Sequence, residues 1–182
     1  MTASLLVIED DQIVVHTIER ILRKDYRVRV ASSGIEGLQS ARREMPDLVI
    51  LDVIMPGMDG FEVCSRLKSD PETRDIPVIF LSALDDTANK VKGFATGAVD
   101  YISKPFQPEE VHVRVNTHLT MSLLKQNLAE KNNELRMYTE LLEERVKERT
   151  AELASLNNVY ERFVPREFID LLQKNSILEI SL

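Results

Sequence analysis

Leu48-Val49-Ile50-Leu51-Asp52, running into Val53-Ile54-Met55-Pro56-Gly57-Met58-Asp59-Gly60, decides both the fold and the site. The apolar run reads as a strand buried on both faces, as in a parallel sheet. Asp52 ends it at the lip of a Gly/Pro loop, and open α/β sheets gather their chemistry at strand C-termini. Three other apolar runs end in matching chemistry. Leu5-Leu6-Val7-Ile8 leads into Glu9-Asp10-Asp11, Val78-Ile79-Phe80-Leu81 into Ser82, and Ala98 to Ser103 into Lys104-Pro105. An acid cluster, a lone acid, a hydroxyl and an amine at one sheet edge form a phosphoryl-transfer constellation around a nucleophilic aspartate.

Working outward, strand signals fall near 4–8, 27–31, 47–51, 77–81 and 98–102. Helical patterns lie between them near 12–23, 35–44, 60–68 and 87–95, and another begins near 107. Strands separated by helices of this length imply parallel pairing through right-handed crossovers. Val28 and Val30 alternate with Arg27 and Arg29, which marks the second strand as an edge. Asp11 is placed to cap the first helix, and Ser32 or Ser33 the second.

The chain has 182 residues, enough for one full domain and an appendage. A net charge of −7 argues against a nucleic-acid-binding face. No apolar stretch approaches the roughly 20 residues needed to span a bilayer, so no membrane partner is expected. Met1-Thr2-Ala3-Ser4 lacks the basic start of a secretory signal. The single cysteine, Cys64, cannot form an internal disulfide and reads as buried filler on a helix, which fits a cytoplasmic protein. His16, His112 and His118 lie on helical patterns and read as surface or packed histidines.

From about Val111 the character changes. Gly and Pro vanish from 109 to 164, and Leu, Glu, Lys, Arg, Asn and Gln dominate. Apolar positions follow at Met121, Leu124, Leu128, Leu135, Tyr138, Leu142, Val146, Leu153, Leu156, Tyr160 and Phe163. Their alternating three- and four-residue spacing is a coiled-coil seam. Lys131 and Arg149 fall on seam positions, and two fours meet between Leu142 and Val146 as a stutter. A helix from Pro108 to Val164 would be about 85 Å long at 1.5 Å per residue. So narrow a stripe needs a partner, most simply the same helix of a second chain. Pro165 to Leu172 reads as a short new helix, and Ile177 to Leu182 as the start of a further element. The expected organisation is a domain over 1–120, a coiled-coil helix over 121–164, and a short helix opening an output domain over 165–182.

The segments Leu6 to Asp11, Asp47 to Gly60, Pro77 to Ala83 and Gly97 to Phe106 together resemble the receiver domain of two-component response regulators. The resemblance covers residues 4 to about 120. It implies a flavodoxin-like fold with a five-stranded parallel sheet in the order 2-1-3-4-5. It also implies roles. Asp52 would attack the phosphorus of a phosphohistidine on a sensor histidine kinase or phosphotransfer protein. Asp10 and Asp52 would bind Mg²⁺ directly, Glu9 mainly through water, and the Ile54 backbone carbonyl would complete the protein ligands. Lys104 would pair with phosphoryl oxygens and Ser82 would donate to one of them. The Lys104–Pro105 bond is expected to be cis. Ser82 and Tyr101 would form the switch. Ile54 and Leu84 would flank the hydrolytic water without hydrogen-bonding it, so slow self-dephosphorylation is expected.

Leu141 to Leu156 resembles the signalling helices that join receiver or sensor modules to catalytic domains. Tyr160 to Phe168 resembles the segment that precedes a class III nucleotide cyclase domain. The expected whole is therefore a homodimer through its coiled coil that drives an adenylate or guanylate cyclase output, which this chain lacks. The alternative is a receiver and coiled coil that serves only as an interaction or scaffold module. A downstream DNA-binding domain is disfavoured by the acidic charge and the long rigid linker.

Overall fold

The computed structural model describes residues 2–83 and 95–163. Five strands, β1 (Ser4–Ile8), β2 (Arg27–Ala31), β3 (Leu48–Asp52), β4 (Val78–Ala83) and β5 (Asp100–Lys104), form one sheet. All pairings are parallel and the order is β2-β1-β3-β4-β5, the flavodoxin-like arrangement. The described helices are α1 (Gln12–Leu22), α2 (Gly34–Glu44), α3 (Gly60–Ser69) and α4 (Pro108–Phe163). Apart from Ala95, the helical pattern expected near 87–95 lies outside the described residues, as do the short helix after Pro165 and the run from Ile177.

Period-two alternation sorts the central strands between two cores. Leu6, Ile8, Val49, Leu51 and Phe80 face one side with Val63, Cys64 and Leu67 of α3. Leu5, Val7, Leu48, Ile50, Ile79 and Leu81 face the other with Ile18 and Leu22 of α1 and Val111 and Val115 of α4. Each fully buried Leu or Ile contributes roughly 1.5–3 kcal/mol. The edge strand β2 keeps its alternation, with Arg27 and Arg29 exposed and Val28 and Val30 half-buried.

Local signals act where they were read. The Asp11 carboxylate accepts from the Ile13 amide at 2.8 Å and caps α1. Ser33, rather than Ser32, caps α2. Ser32 instead donates its amide and hydroxyl to the Glu36 carboxylate, at 2.8 and 2.9 Å. The fifth strand starts two residues later than the apolar pattern predicts. Gly97 turns the chain at φ +94°, and the β5 ladder with β4 begins at Asp100 opposite Ile79 and ends at Lys104 opposite Ala83. Lys104 is thereby a strand residue, not a residue after one.

The chain divides into two compact units, one up to Gln126 and one from Asn127. In the second, the seam residues Leu128, Leu135, Tyr138, Leu142, Val146, Leu153 and Leu156 are exposed. Lys131 and Arg149 each bind a glutamate three residues on, Glu134 at 2.7 Å and Glu152 at 2.8 Å. Among the described residues, no helix is long and apolar enough to cross a membrane.

Candidate functional site

The C-terminal ends of β1, β3, β4 and β5 bring the expected side chains to one edge. After Ile8 the ladder continues far enough for the Glu9 amide to donate to the Ala31 carbonyl at 3.1 Å, which fixes Glu9 in a buried position. Asp10 is exposed beside it. Asp52, paired in register with Leu81, is buried at the end of β3. Ligand oxygens of Glu9, Asp10 and Asp52 all lie within 4.8 Å of one another. Lys104 reaches in from β5. Its Nζ donates to Glu9 Oε2 at 2.7 Å and to Asp52 Oδ1 at 2.9 Å. Ser82 is buried on β4, between Asp52 and Lys104 in strand order.

Burial raises the pKa of Glu9 and of Asp52, and their hydrogen bonds to Lys104 offset this only in part. Burial works against the Lys104 ammonium, but its hydrogen bonds to Asp52 and Glu9 outweigh it and hold the lysine above its ordinary value. Three carboxylates against one ammonium leave a deficit of two positive charges when all are ionised. The donor set is hard oxygen throughout, which suits Mg²⁺ and not a thiolate- or imidazole-seeking metal.

The loop after Asp52 is built to stay close to it. Gly57 takes φ +81°, Asp59 caps α3 by accepting from the Glu62 amide at 2.8 Å, and the Gly60 amide donates to the Val53 carbonyl at 2.9 Å. A Cβ on Gly60 would lie 2.1 Å from the Asp52 carbonyl oxygen. Only glycine lets α3 begin this near the site. The Ile54 side chain is 69% exposed. The Lys104–Pro105 peptide bond is cis. Leu84 lies outside the described residues.

Tyr101 is half-buried against the core beside Phe80. The groups around it carry no motif in the sequence. The Arg114 guanidinium lies over the Tyr101 ring at 5.6 Å from its centroid. Its Nη1 reaches both Asp100 carboxylate oxygens, at 2.8 and 2.9 Å, and its Nε donates to Glu110 at 2.9 Å. His118 Nε2 lies 3.0 Å from Asp100 Oδ2. Burial opposes ionisation of Asp100, but hydrogen bonds from His118, the Tyr101 amide and Arg114 hold its carboxyl below the usual range. The four-residue spacing of Glu110, Arg114 and His118 was the available signal. His118 is thus a packed histidine, while His16 is exposed. Cys64 is buried, and burial pushes its thiol up.

Response regulator PleD of Caulobacter vibrioides is 39% identical over 132 residues, covering 72% of this chain and 29% of PleD. The alkaline phosphatase synthesis transcriptional regulatory protein PhoP of Bacillus subtilis is 38% identical over 135 residues, 74% of this chain and 55% of PhoP. The chain therefore spans from under a third to about half the length of these relatives. The crystal structure of a response regulator from Chloroflexus aurantiacus superposes with TM-score 0.65 at 40% identity, over 66% of this chain and 99% of that one. Residues 5–116, which hold all the side chains brought together at the sheet edge, match the response regulator receiver domain. The chain belongs to that family, the receiver domains of two-component systems.

Proposed function

We propose that Asp52 accepts a phosphoryl group from the phosphohistidine of a sensor histidine kinase or a phosphotransfer protein. An Asp52 oxygen bonds to phosphorus, the phosphorus–nitrogen bond breaks, and its electron pair stays on the imidazole, which takes up a proton. The product is an acyl phosphate. The observation that carries this reading is the meeting of three carboxylates within 4.8 Å with the Lys104 ammonium 2.9 Å from Asp52.

Asp10 and Asp52, with the Ile54 carbonyl, are the groups that would hold Mg²⁺, and Glu9 would act through water. A hard divalent cation there neutralises phosphoryl charge. Lys104 is already inside the site and would exchange its carboxylate bonds for phosphoryl oxygens. The Ser82 hydroxyl would donate to one of them. Catalysis is then mostly positioning and charge neutralisation. Incubating the full chain with a small phosphodonor and Mg²⁺ should add one phosphoryl group, labile to hydroxylamine. The gain should vanish in Asp52→Asn and when Mg²⁺ is chelated. A phosphoryl group that remains on Asp52→Asn refutes the assignment.

The output reading rests on the long helix. Residues 1–120 act as the receiver, and 121–164 pair with the same helix of a second chain, because the seam side chains of the second unit are exposed. Ser82 and Tyr101 relay the state of Asp52 toward α4 as a shift between two arrangements. The resemblance of Tyr160 to Phe168 to pre-cyclase segments assigns a nucleotide cyclase as the driven activity, with residues 165–182 leading into it. Expression of the full-length parent and assay of cyclic nucleotide synthesis tests that assignment. A parent without cyclase activity leaves the scaffold reading in its place.

A further inference from the structure

We propose that Arg114 is the positioning residue through which Tyr101 acts on α4. The inference rests on the phosphoacceptor reading above and adds the contact that delivers it. Glu110, Arg114 and His118 are four residues apart and share one face of α4. The last two converge on a single dipeptide of β5, Asp100–Tyr101. Arg114 Nη1 reaches both Asp100 oxygens at 2.8 and 2.9 Å, and His118 Nε2 lies 3.0 Å from Asp100 Oδ2. Asp100 also accepts from the Tyr101 amide at 2.8 Å, so the dipeptide moves as a unit.

Arg114 touches both halves of that unit. Asp100 and Glu110 fix the position of its guanidinium, and its Cζ lies over the Tyr101 ring, 5.6 Å from the centroid. This is within the reach of a cation–π contact. A ring that turns about its own side-chain torsion leaves a guanidinium that is pinned elsewhere. The contact therefore holds the ring where it now lies, and its loss is felt on the second turn of α4. Lysine cannot do the same. Its compact ammonium could pair with Asp100, but without a rigid fork of donors it is not held over the ring at the same time.

The test uses the full chain with Mg²⁺ and beryllofluoride, a phosphoryl mimic. It reads binding affinity together with amide exchange over Glu110–His118. By linkage, removing a contact made only in the resting arrangement must tighten binding of the ligand that favours the other one. Arg114→Ala should tighten beryllofluoride about 2- to 5-fold, the span of a partly exposed cation–π contact. Arg114→Lys should tighten it similarly, and in both variants the ligand-induced change of exchange at Glu110–His118 should be lost. A role confined to pairing Asp100 would be rescued by lysine, so wild-type affinity and exchange in Arg114→Lys overturn the proposal. If wild type fails to bind beryllofluoride, the phosphoacceptor reading has failed. The clamp is then judged by Tyr101→Ala, which must alter exchange at Glu110–His118 in wild type and leave it unchanged in Arg114→Ala. Any other result there overturns it as well.

Discussion

Asp52→Asn should make the metal-free protein more stable while abolishing phosphoryl acceptance. The oxygens of Glu9, Asp10 and Asp52 lie within 4.8 Å, so each pair repels by at least about 3.5 kcal/mol at an effective dielectric of about 20. Lys104 at 2.9 Å returns about 6 kcal/mol to Asp52 on the same scale. Neutralising Asp52 removes two repulsions and one attraction, a gain of about 1 kcal/mol. Relief of the desolvation of a buried polar ion adds about 1–2 kcal/mol. The asparagine oxygen can still accept from Lys104, so no donor is orphaned. The sum, roughly 2–3 kcal/mol, should move the urea midpoint up by about 1 M at neutral pH without Mg²⁺. The sign has a second check in pH. Asp52 and Glu9 have raised pKa values in the folded protein, so folding binds their protons more tightly. Their contribution to stability is full below the unfolded carboxylate range near 4 and is lost as pH rises through the raised folded values. Wild type should therefore gain on the variant as pH falls from neutral toward the ordinary carboxylate range, and the gap should narrow. Saturating Mg²⁺ should also narrow it by stabilising wild type. Equal or lower stability of Asp52→Asn without metal at neutral pH would refute the view of the site as an under-neutralised acid cluster.

Three further outcomes follow from the geometry. Gly60→Ala places a Cβ 2.1 Å from the Asp52 carbonyl oxygen, and should cost about 1–3 kcal/mol in unfolding and weaken Mg²⁺ binding, read by calorimetry. Leu142→Glu puts a charge into the exposed seam. Sedimentation should show a dimer for wild type and a monomer for the variant, with phosphoryl acceptance at Asp52 unchanged. Replacing the exposed Ile54 by glutamine supplies a group that can hydrogen-bond a water beside Asp52. Acyl-phosphate decay should speed up several-fold, and a wild-type half-life of seconds would sink the expectation that the phosphoryl group is long-lived.

Glu9, Asp10, Asp52, Ser82 and Lys104 were legible because each sits at the end of an apolar run, and parallel strands bring like ends together. The caps at Asp11 and Ser33 were legible because capping is local in sequence. The register of β5 was not. Ala98 and Val99 are apolar and extend the pattern backward, whereas the strand begins only after the turn at Gly97 has been completed. The Asp100–Arg114–His118 cluster was hidden for a different reason. Its partners come from a strand and a helix face, and which face meets the sheet depends on the burial of Val111 and Val115.

The placement of Lys104 says how the resting site can be both stable and ready. A lysine bonded to Glu9 at 2.7 Å and Asp52 at 2.9 Å keeps two buried carboxylates from facing each other unscreened. One ammonium balances only one of the three carboxylate charges, and burial still leaves the pKa values of Glu9 and Asp52 raised. The cluster would therefore favour an added divalent cation over the empty state, and on the phosphoacceptor proposal that cation would come before the phosphoryl group. An anion approaching Asp52 before that cation meets a net negative site. After it, that deficit of two charges is cancelled and the repulsion removed, and Lys104 would be free to change partner without leaving the site. On that proposal, stability forgone in the metal-free protein and a demand for metal before phosphoryl transfer would be two consequences of one charge imbalance.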